Sequence, residues 1–444
     1  MSALFCHVMV HAFEFDGKYF VYDVESGSAF ISDKLVYQLL KGKEAEGSHE
    51  EIGQAKREIG QLKEQGLLFA DPPALEAIKP GGQVKALCLH VCHDCNLRCE
   101  YCFGEGGTFG GKRERMNAAT ACAAIDFLIE KSGDRKNLEV DFFGGEPLLN
   151  FEVVKDAVSY ARMREKECGK LFKFTLTTNA LLLSDETADF LNREMDNVVI
   201  SLDGRKHVHD AMRKTAGLKG SYDIAMENAR RFKRLRGDKS YYVRGTFTAK
   251  NLDFSKDVLH LADEGFDQIS IEPVVTGDGE LAIRRKHLSQ IFSEYELLAK
   301  EYILRRRTGK WFNFFHFMVD LDGGPCLKKR LTGCGAGCEY LAIAPSGDIY
   351  PCHQFVGKRQ YLMGDVFSKS VNEGIRQVFA SSSLLSKEEC KGCFAKYFCS
   401  GGCAANNSFY GGGIDKPYKL SCEMMRKRFE CALAIYCLEN AAST

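Results

Sequence analysis

Short apolar runs alternate with amphipathic segments through the middle of this chain. The runs are rich in β-branched and aromatic residues, which predicts strands over residues 85–91, 138–143, 173–178, 197–202, 242–248 and 268–275. Apolar residues at helical spacing follow each run, which predicts helices over residues 117–131, 151–167, 185–194, 221–235, 255–264 and 285–307. These successive strand–helix units predict a parallel sheet, and right-handed crossovers curl it into a partial (β/α)6 barrel that is open on one side.

The regions before and after this alternation have different patterns. Pro and Gly residues at 72–82 mark a linker. Before it, strands at 11–15, 18–23 and 29–31 and helices at 33–40 and 49–65 predict a winged-helix-like module, with a purely structural cap as the alternative. After residue 311, an aromatic-dense run that we interpret as packing leads into short Gly- and Cys-rich segments. These segments predict a region with little regular core that needs cluster ligation to fold. We therefore predict an α/β protein of three parts, over residues 1–80, 84–310 and 311–444.

Composition limits the partners that can be expected. Sixty basic and sixty acidic residues balance to a net charge of zero, so neither nucleic acid nor an anionic membrane surface is an expected partner. No apolar run reaches the roughly 18 residues of a membrane span. The first residues lack the basic and apolar regions of a secretory signal. These features predict a cytoplasmic protein.

Nineteen cysteines carry the main chemical signal, because they are clustered. Cys95, Cys99 and Cys102 follow the first predicted strand, where barrel enzymes place their reactive groups. In a reducing compartment this spacing predicts a metal or iron–sulfur site rather than disulfides. Three thiolates leave one iron of a cubane cluster open to another ligand, which favours redox catalysis. The alternative is a zinc site with Cys92 as fourth ligand; we interpret Cys92 as a non-ligand and Cys88 as a core residue.

The spacing Cys95-x3-Cys99-x2-Cys102, with Tyr101 before the last cysteine, resembles the signature loop of the radical S-adenosylmethionine enzymes. The resemblance implies a [4Fe–4S] cluster held by these three cysteines, which are then the catalytic residues. Its open iron would bind S-adenosylmethionine, and an external one-electron reductant would release a 5′-deoxyadenosyl radical from that cofactor.

Strand ends further along the chain supply the cofactor contacts that the resemblance implies. Gly144-Gly145-Glu146-Pro147 resembles the motif that binds the cofactor's amino group, because glycines allow close backbone approach and Glu146 accepts from an ammonium. The other implied contacts lie on or after the next four strands, at Asn179, Ser201, Arg244 and Ile271. The implied partners are the ribose and carboxylate for Ser201 and Arg244, and the adenine for Ile271. A strand-end turn or core packing is the alternative at these positions.

A second cysteine pattern lies in the C-terminal third: Cys334-x12-Gly347-x4-Cys352, then Cys390-x2-Cys393-x5-Cys399-x3-Cys403, then Cys422. This order is similar to the SPASM extension. That resemblance implies two auxiliary [4Fe–4S] clusters, which makes three clusters in all. It assigns to the outer auxiliary cluster Cys390, Cys393, Cys399 and Cys422, and to the inner one Cys334, Cys352 and Cys403. The fourth inner ligand stays open: Cys326 and Cys338 are candidates, and a substrate thiolate is the alternative. The remaining cysteines are predicted to pack as small hydrophobes, namely Cys6, Cys122, Cys168, Cys431 and Cys437.

Longer segments carry a closer resemblance. Residues 85–90, 242–248, 311–317 and 350–355 resemble the SCIFF maturases, which form thioethers in Cys-rich precursor peptides of the ranthipeptide and sactipeptide kind. This resemblance implies Cys-to-Thr crosslinking, and a RiPP recognition element in the N-terminal module that binds the precursor's leader at a strand edge. The alternatives are a sulfatase-maturase-like oxidase, a carbon–carbon crosslinking enzyme and a non-enzymatic redox sensor.

Overall fold

A parallel sheet of six strands forms the centre of the molecule, and it confirms the predicted partial barrel. The computed structural model describes residues 9–72, 82–321 and 327–441. In sheet order, which is also chain order, the six strands are Ala86–His93, Asn137–Gly144, Leu171–Thr178, Asn197–Ser201, Tyr241–Phe247 and Gln268–Pro273. Each neighbouring pair is parallel. Their bounds lie within two residues of those predicted from the apolar runs.

Helices cover the outside of this sheet. They are Ala118–Lys131, Phe151–Cys168, Asp185–Glu194, Tyr222–Arg236, Phe254–Asp263 and Leu288–Arg307. Local sequence sets several of their ends: the Asn117 and Ser184 side chains accept from backbone N–H groups of the first turn, and Gly169 ends its helix in the left-handed conformation. The apolar strand faces and helix faces meet in one core, in which Leu87, Phe142 and Val243 are fully buried.

The C-terminal region continues the same sheet at both edges. Tyr340–Ile343 pairs in parallel with the first barrel strand, so that Ala342 lies opposite Cys88. Asn313–Phe314 pairs in parallel with the sixth barrel strand. Short antiparallel strands then extend the first edge, at Asp348–Tyr350, Gly364–Asp365 and Ser370–Val371. The first barrel strand is therefore internal to the sheet, and all of its residues are buried.

The prediction that this region has little regular core is wrong. Besides the added strands, it contains the 22-residue helix Lys419–Asn440, which packs against Leu288–Arg307. The aromatic run packs as predicted only in part: Phe312, Phe314 and Phe317 are buried, whereas Trp311 and Phe315 are exposed. The smaller elements of the protein are Leu97–Cys99, Glu114–Arg115, Lys206–Met212, Arg213–Thr215, Leu327–Thr332, Glu373–Ser381, Glu388–Lys391, Lys396–Cys399 and Ala404–Asn406.

The N-terminal module has the predicted elements. Three antiparallel strands, Val10–Phe15, Lys18–Asp23 and Ala29–Ser32, form a sheet in chain order, followed by helices Lys34–Leu40 and His49–Glu64. Ser48 and Glu51 form a capping box at the start of the second helix. Phe20 and Tyr22 belong to the same apolar core as the rest of the chain, so the module is packed on it. None of the described helices combines the length and apolar character needed to cross a bilayer.

Candidate active site

The first cysteine loop is held by pairing with a distant segment. Leu97–Cys99 forms an antiparallel pair with Arg213–Thr215, in which Cys99 lies opposite Arg213. Burial raises the pKa of the Cys95 thiol to about 12 and that of Cys99 to about 11, and the charge of the neighbouring Cys102 raises both further. The three thiols therefore lie near one another in a poorly solvated place. A metal or cluster would have to displace their protons, as thiolate ligation requires.

Two glycines bring the second barrel strand against this loop. A Cβ atom at Gly144 would lie 2.3 Å from the carbonyl oxygen of Cys92, and one at Gly145 would lie 2.1 Å from that of Asp94. The Gly145 and Glu146 N–H groups donate to the same two carbonyls, at 2.7 and 2.9 Å. Any larger side chain would push the strand end away from the cysteine loop. The close approach predicted for these glycines is thus an approach to the loop's own backbone.

Glu146 is a buried carboxyl group beside the cysteine loop. Its side chain accepts from the Thr178 hydroxyl and the Asn179 N–H, each at 2.8 Å, and from the Leu148 N–H at 3.1 Å. These hydrogen bonds lower the pKa of Glu146, but they offset only part of the effect of burial. Burial therefore raises that pKa to about 7. An ammonium group placed here would restore the ionised carboxylate. The residue therefore fits the amino group of S-adenosylmethionine.

The remaining predicted cofactor contacts have different surroundings in the structure. Asn179 touches the cysteine loop, because its amide nitrogen donates to the Asn96 side chain at 2.7 Å and lies 3.7 Å from the Cys95 sulfur. Ser201 and Arg244 lie opposite each other on adjacent strands. Arg244 is exposed and forms an ion pair with Glu272, with 3.2 Å between nitrogen and oxygen. Ile271 is fully buried. Their roles toward the cofactor stay predictions.

A buried ion pair that the sequence did not predict supports the first cysteine loop. Asp203 is inaccessible to solvent, and its carboxylate lies 3.0 Å from the Arg213 guanidinium. The Tyr101 hydroxyl donates to the same carboxylate at 2.7 Å, and the Thr246 N–H donates at 3.0 Å. Burial lowers the pKa of Arg213, but the charges of Asp203, Tyr101 and Cys99 together with the hydrogen bond to Asp203 outweigh burial and raise that pKa. In the sequence, Asp203 was visible as a charged residue directly after an apolar strand. Nothing in the sequence indicated that its partner is Arg213.

The inner cysteine group is linked to the first loop by an aromatic contact, because the ring of His353, which follows Cys352, lies 5.7 Å from that of Phe103, which follows Cys102. Cys334, Cys352 and Cys403 lie close together. Burial is the main cause that raises the pKa of Cys352, and the charges of Cys403 and Cys334 raise that pKa further. Cys334 and Cys403 are exposed, whereas Cys352 is buried. Cys338 is buried, and its thiol lies 3.7 Å from the Arg376 carbonyl. The other candidate fourth ligand, Cys326, lies outside the described residues.

The outer cysteine group surrounds a cavity of about 180 Å³. Its lining includes Cys390, Cys393, Cys399 and Cys422. Burial raises the pKa of Cys390 to about 11 and that of Cys422 to about 12, and the neighbouring thiols raise both. Among the described residues, these four cysteines are free thiols. Within those residues no three His, Cys, Asp or Glu side chains are spaced for one metal ion. A cavity bounded by four thiols fits a cluster.

Comparisons with known proteins agree with this arrangement. A family model described as a 4Fe-4S single cluster domain matches residues 80–226, and the SPASM iron-sulfur cluster-binding domain matches residues 334–394. The cysteine-type anaerobic sulfatase-maturating enzyme of Clostridium novyi is 25% identical over 76% of this chain and 92% of its own length. The mycofactocin maturase MftC of Mycobacterium tuberculosis is 28% identical over 74% of this chain and 81% of its own.

Solved structures share the fold. The structure of native anSMEcpe with bound AdoMet superposes with a TM-score of 0.66 at 18% identity, over 81% of this chain and 100% of that one. Streptococcus suis SuiB bound to S-adenosylmethionine gives a TM-score of 0.51 at 17% identity, over 93% and 97%. The chain has a C-terminal SPASM iron-sulfur cluster-binding domain, and the family models and relatives together support a radical S-adenosylmethionine enzyme. Its cofactors are S-adenosylmethionine and [4Fe–4S] clusters, including auxiliary ones.

Proposed function

We propose that this enzyme forms thioether crosslinks from cysteines to an acceptor residue, Thr by resemblance, in a Cys-rich ribosomally made precursor peptide. The observation that carries the proposal is the exposed inner cysteine group beside the first cysteine loop. The outer group is buried or half-buried, whereas two residues of the inner group, Cys334 and Cys403, are exposed. A ligand from outside the chain can therefore approach the inner site.

Aromatic rings connect the two sites. Phe103 follows Cys102 and its ring lies 5.7 Å from that of His353, which follows Cys352. Phe143, at the end of the second barrel strand, lies 5.3 Å from the same histidine. One wall thus spans both cysteine groups. A peptide lying along it could place a cysteine at the inner group and its acceptor carbon at the first loop, so proximity would select the bond.

The roles of this chain's residues follow from their positions. We assign Cys95, Cys99 and Cys102 to the catalytic cluster, and Glu146 and Asn179 to orienting the cofactor beside it. When bound, S-adenosylmethionine supplies the hydrogen-abstracting radical, and the iron–sulfur clusters supply and accept single electrons. Crosslinking breaks one C–H and one S–H bond and makes one C–S bond. The peptide therefore loses two hydrogens per crosslink. One hydrogen atom would go to the deoxyadenosyl group of S-adenosylmethionine, and the other would leave as a proton while its electron passes to a cluster and replaces the one spent in cleaving the cofactor.

The N-terminal module would bind the precursor's leader. Its third strand, Ala29–Ser32, is an edge of the module's sheet, and its residue Ile31 is exposed. An extended peptide can add to such an edge through main-chain hydrogen bonds. Binding there would raise the local concentration of the core peptide at the barrel, so that weak contacts at the reacting residues suffice.

Mass spectrometry of a co-expressed precursor tests the function. We expect a Cys-rich peptide encoded beside this gene to lose two hydrogens per crosslink, and its crosslinked cysteines to resist alkylation. The same peptide without its leader should be modified much less. Loss of two hydrogens with every thiol still open to alkylation would point instead to carbon–carbon crosslinking. Conversion of one cysteine to an aldehyde would point to a sulfatase-maturase-like oxidase.

Binding of a substrate thiolate at the inner group is a separate prediction. In a variant that lacks the catalytic cluster, a Cys-containing precursor should change the EPR signal of the inner cluster, because a soft thiolate alters one iron's surroundings. A matched precursor with Ser in place of the donor cysteines should leave the signal as it is. Identical spectra with both peptides, together with iron loss in Cys326→Ala, would mean that Cys326 closes the site.

A further inference from the structure

The N-terminal module packs directly on the segment that carries the outer cysteines. The ring of His11 stacks on that of Phe394, with 3.5 Å between centroids and 1° between planes. Phe394 is the residue after Cys393. His11 Nε2 also lies 2.9 Å from the Glu430 carboxylate on the C-terminal helix. Beside this contact, the rings of Tyr22 and Phe429 meet edge to face at 5.4 Å.

A buried charge pair joins the same two regions. Glu25 follows the module's second strand, and its side chain is 2% exposed. Its carboxylate lies 2.5 Å from the Lys396 ammonium, whose side chain is 11% exposed, and it accepts from the Tyr397 hydroxyl at 2.7 Å. Lys396 lies between Cys393 and Cys399 in the chain and lines the outer cavity. The module therefore supplies the counter-charge for a cation in the wall of that cavity.

We infer that Glu25 is a positioning residue for the outer auxiliary cluster: it fixes Lys396 in the cluster's wall and neutralises its charge. The inference rests on the assignment of Cys390, Cys393, Cys399 and Cys422 to that cluster. Reduction adds one negative charge to a cluster, so an unneutralised ammonium nearby favours the reduced state. By holding Lys396 in an ion pair, the module keeps the outer cluster harder to reduce.

Other charges around the cavity belong to the cysteine-bearing region itself. The Lys387 ammonium is buried and donates to the Gly401 carbonyl at 3.1 Å. Lys419 pairs with Glu389, and Arg426 also lines the cavity. None of these residues lies in the module. A single change at Glu25 therefore alters the module's contribution and leaves the other charges in place.

The test compares three variants in a background without the catalytic cluster. Glu25→Gln should raise the midpoint potential of the outer cluster, by about 59 mV if the equilibrium constant for one-electron reduction changes tenfold. Lys396→Gln removes the cation and should shift the potential in the opposite direction. Asp16→Asn is the control, because it removes an exposed ion pair between the module and Lys300 and should leave the potential unchanged. Iron per chain and EPR-monitored redox titration are the readouts.

A fourth variant separates this inference from the ligand assignment. Cys390→Ala should remove the signal assigned to the outer cluster; retention of that signal and of all the iron would mean that the assignment is wrong. With the assignment intact, equal potentials and iron contents in wild type, Glu25→Gln and Lys396→Gln overturn the inference. If Glu25→Gln does not fold, the sign of the shift in Lys396→Gln decides, since a lowered potential supports the inference and an unchanged or raised one contradicts it.

Discussion

Replacing Cys95, Cys99 and Cys102 together by Ala should remove about four irons per chain and abolish 5′-deoxyadenosine formation. The three thiols lie together beside Glu146 and Asn179, and no cluster could be held there without them. The auxiliary clusters should remain, because their cysteines lie in a different part of the chain. Iron analysis and chromatographic measurement of deoxyadenosine after reduction with dithionite check both results.

Cys92→Ala is the matched control for this variant. Cys92 lies near the end of the first barrel strand, three residues before Cys95, and is fully buried. We expect it to keep its iron and its deoxyadenosine yield, with a small loss of stability from the missing sulfur. Iron loss in this control would favour the four-cysteine site. An unchanged deoxyadenosine yield in the triple variant would show that the loop does not hold the catalytic cluster.

Asp203→Asn should destabilise the protein and loosen the cysteine loop. The change leaves the buried Arg213 guanidinium without its counter-charge, which costs about 3–5 kcal/mol in comparable buried pairs. Because Arg213 lies opposite Cys99 in the strand pair, the loop loses support and the catalytic cluster should be retained poorly. Denaturant unfolding and iron content measure the two effects.

The same pair of segments offers the control. Glu100 and Lys214 form an ion pair at 2.8 Å, with side chains 47% and 35% exposed. Glu100→Gln removes one charge from this exposed pair and should cost about 0–1 kcal/mol. Equal losses of stability for Asp203→Asn and Glu100→Gln would show that the buried pair has no special part in holding the loop.

The sequence predicted the barrel well because its elements are long and periodic. Each barrel strand carries a run of apolar residues, and each covering helix repeats its apolar positions at helical spacing. The cysteine groups were recognised by spacing, since ligands of one cluster must lie close in the chain or on neighbouring strand ends. For such residues, local order along the chain is enough to indicate that they meet.

The contacts that brace the site could not be predicted in this way. Tyr101 and Asp203 are 102 residues apart, and Arg213 lies in a strand of three residues that has no periodicity to detect. Tyr340–Ile343 is likewise too short to distinguish from a loop, although it pairs with the first barrel strand. The pairing of Glu25 with Lys396 depends on how the module packs, which no local pattern encodes.

The position of the first barrel strand also constrains how the chain folds during synthesis. Asn137–Gly144 covers one edge of the strand Ala86–His93. The strand Tyr340–Ile343, which is made much later, covers the other edge, with Ala342 opposite Cys88. At roughly 5–20 residues per second, that edge stays open on the ribosome for tens of seconds. An open apolar edge can pair with other chains and aggregate. We therefore expect translation truncated before residue 340 to give insoluble protein, even though all six barrel strands are already made.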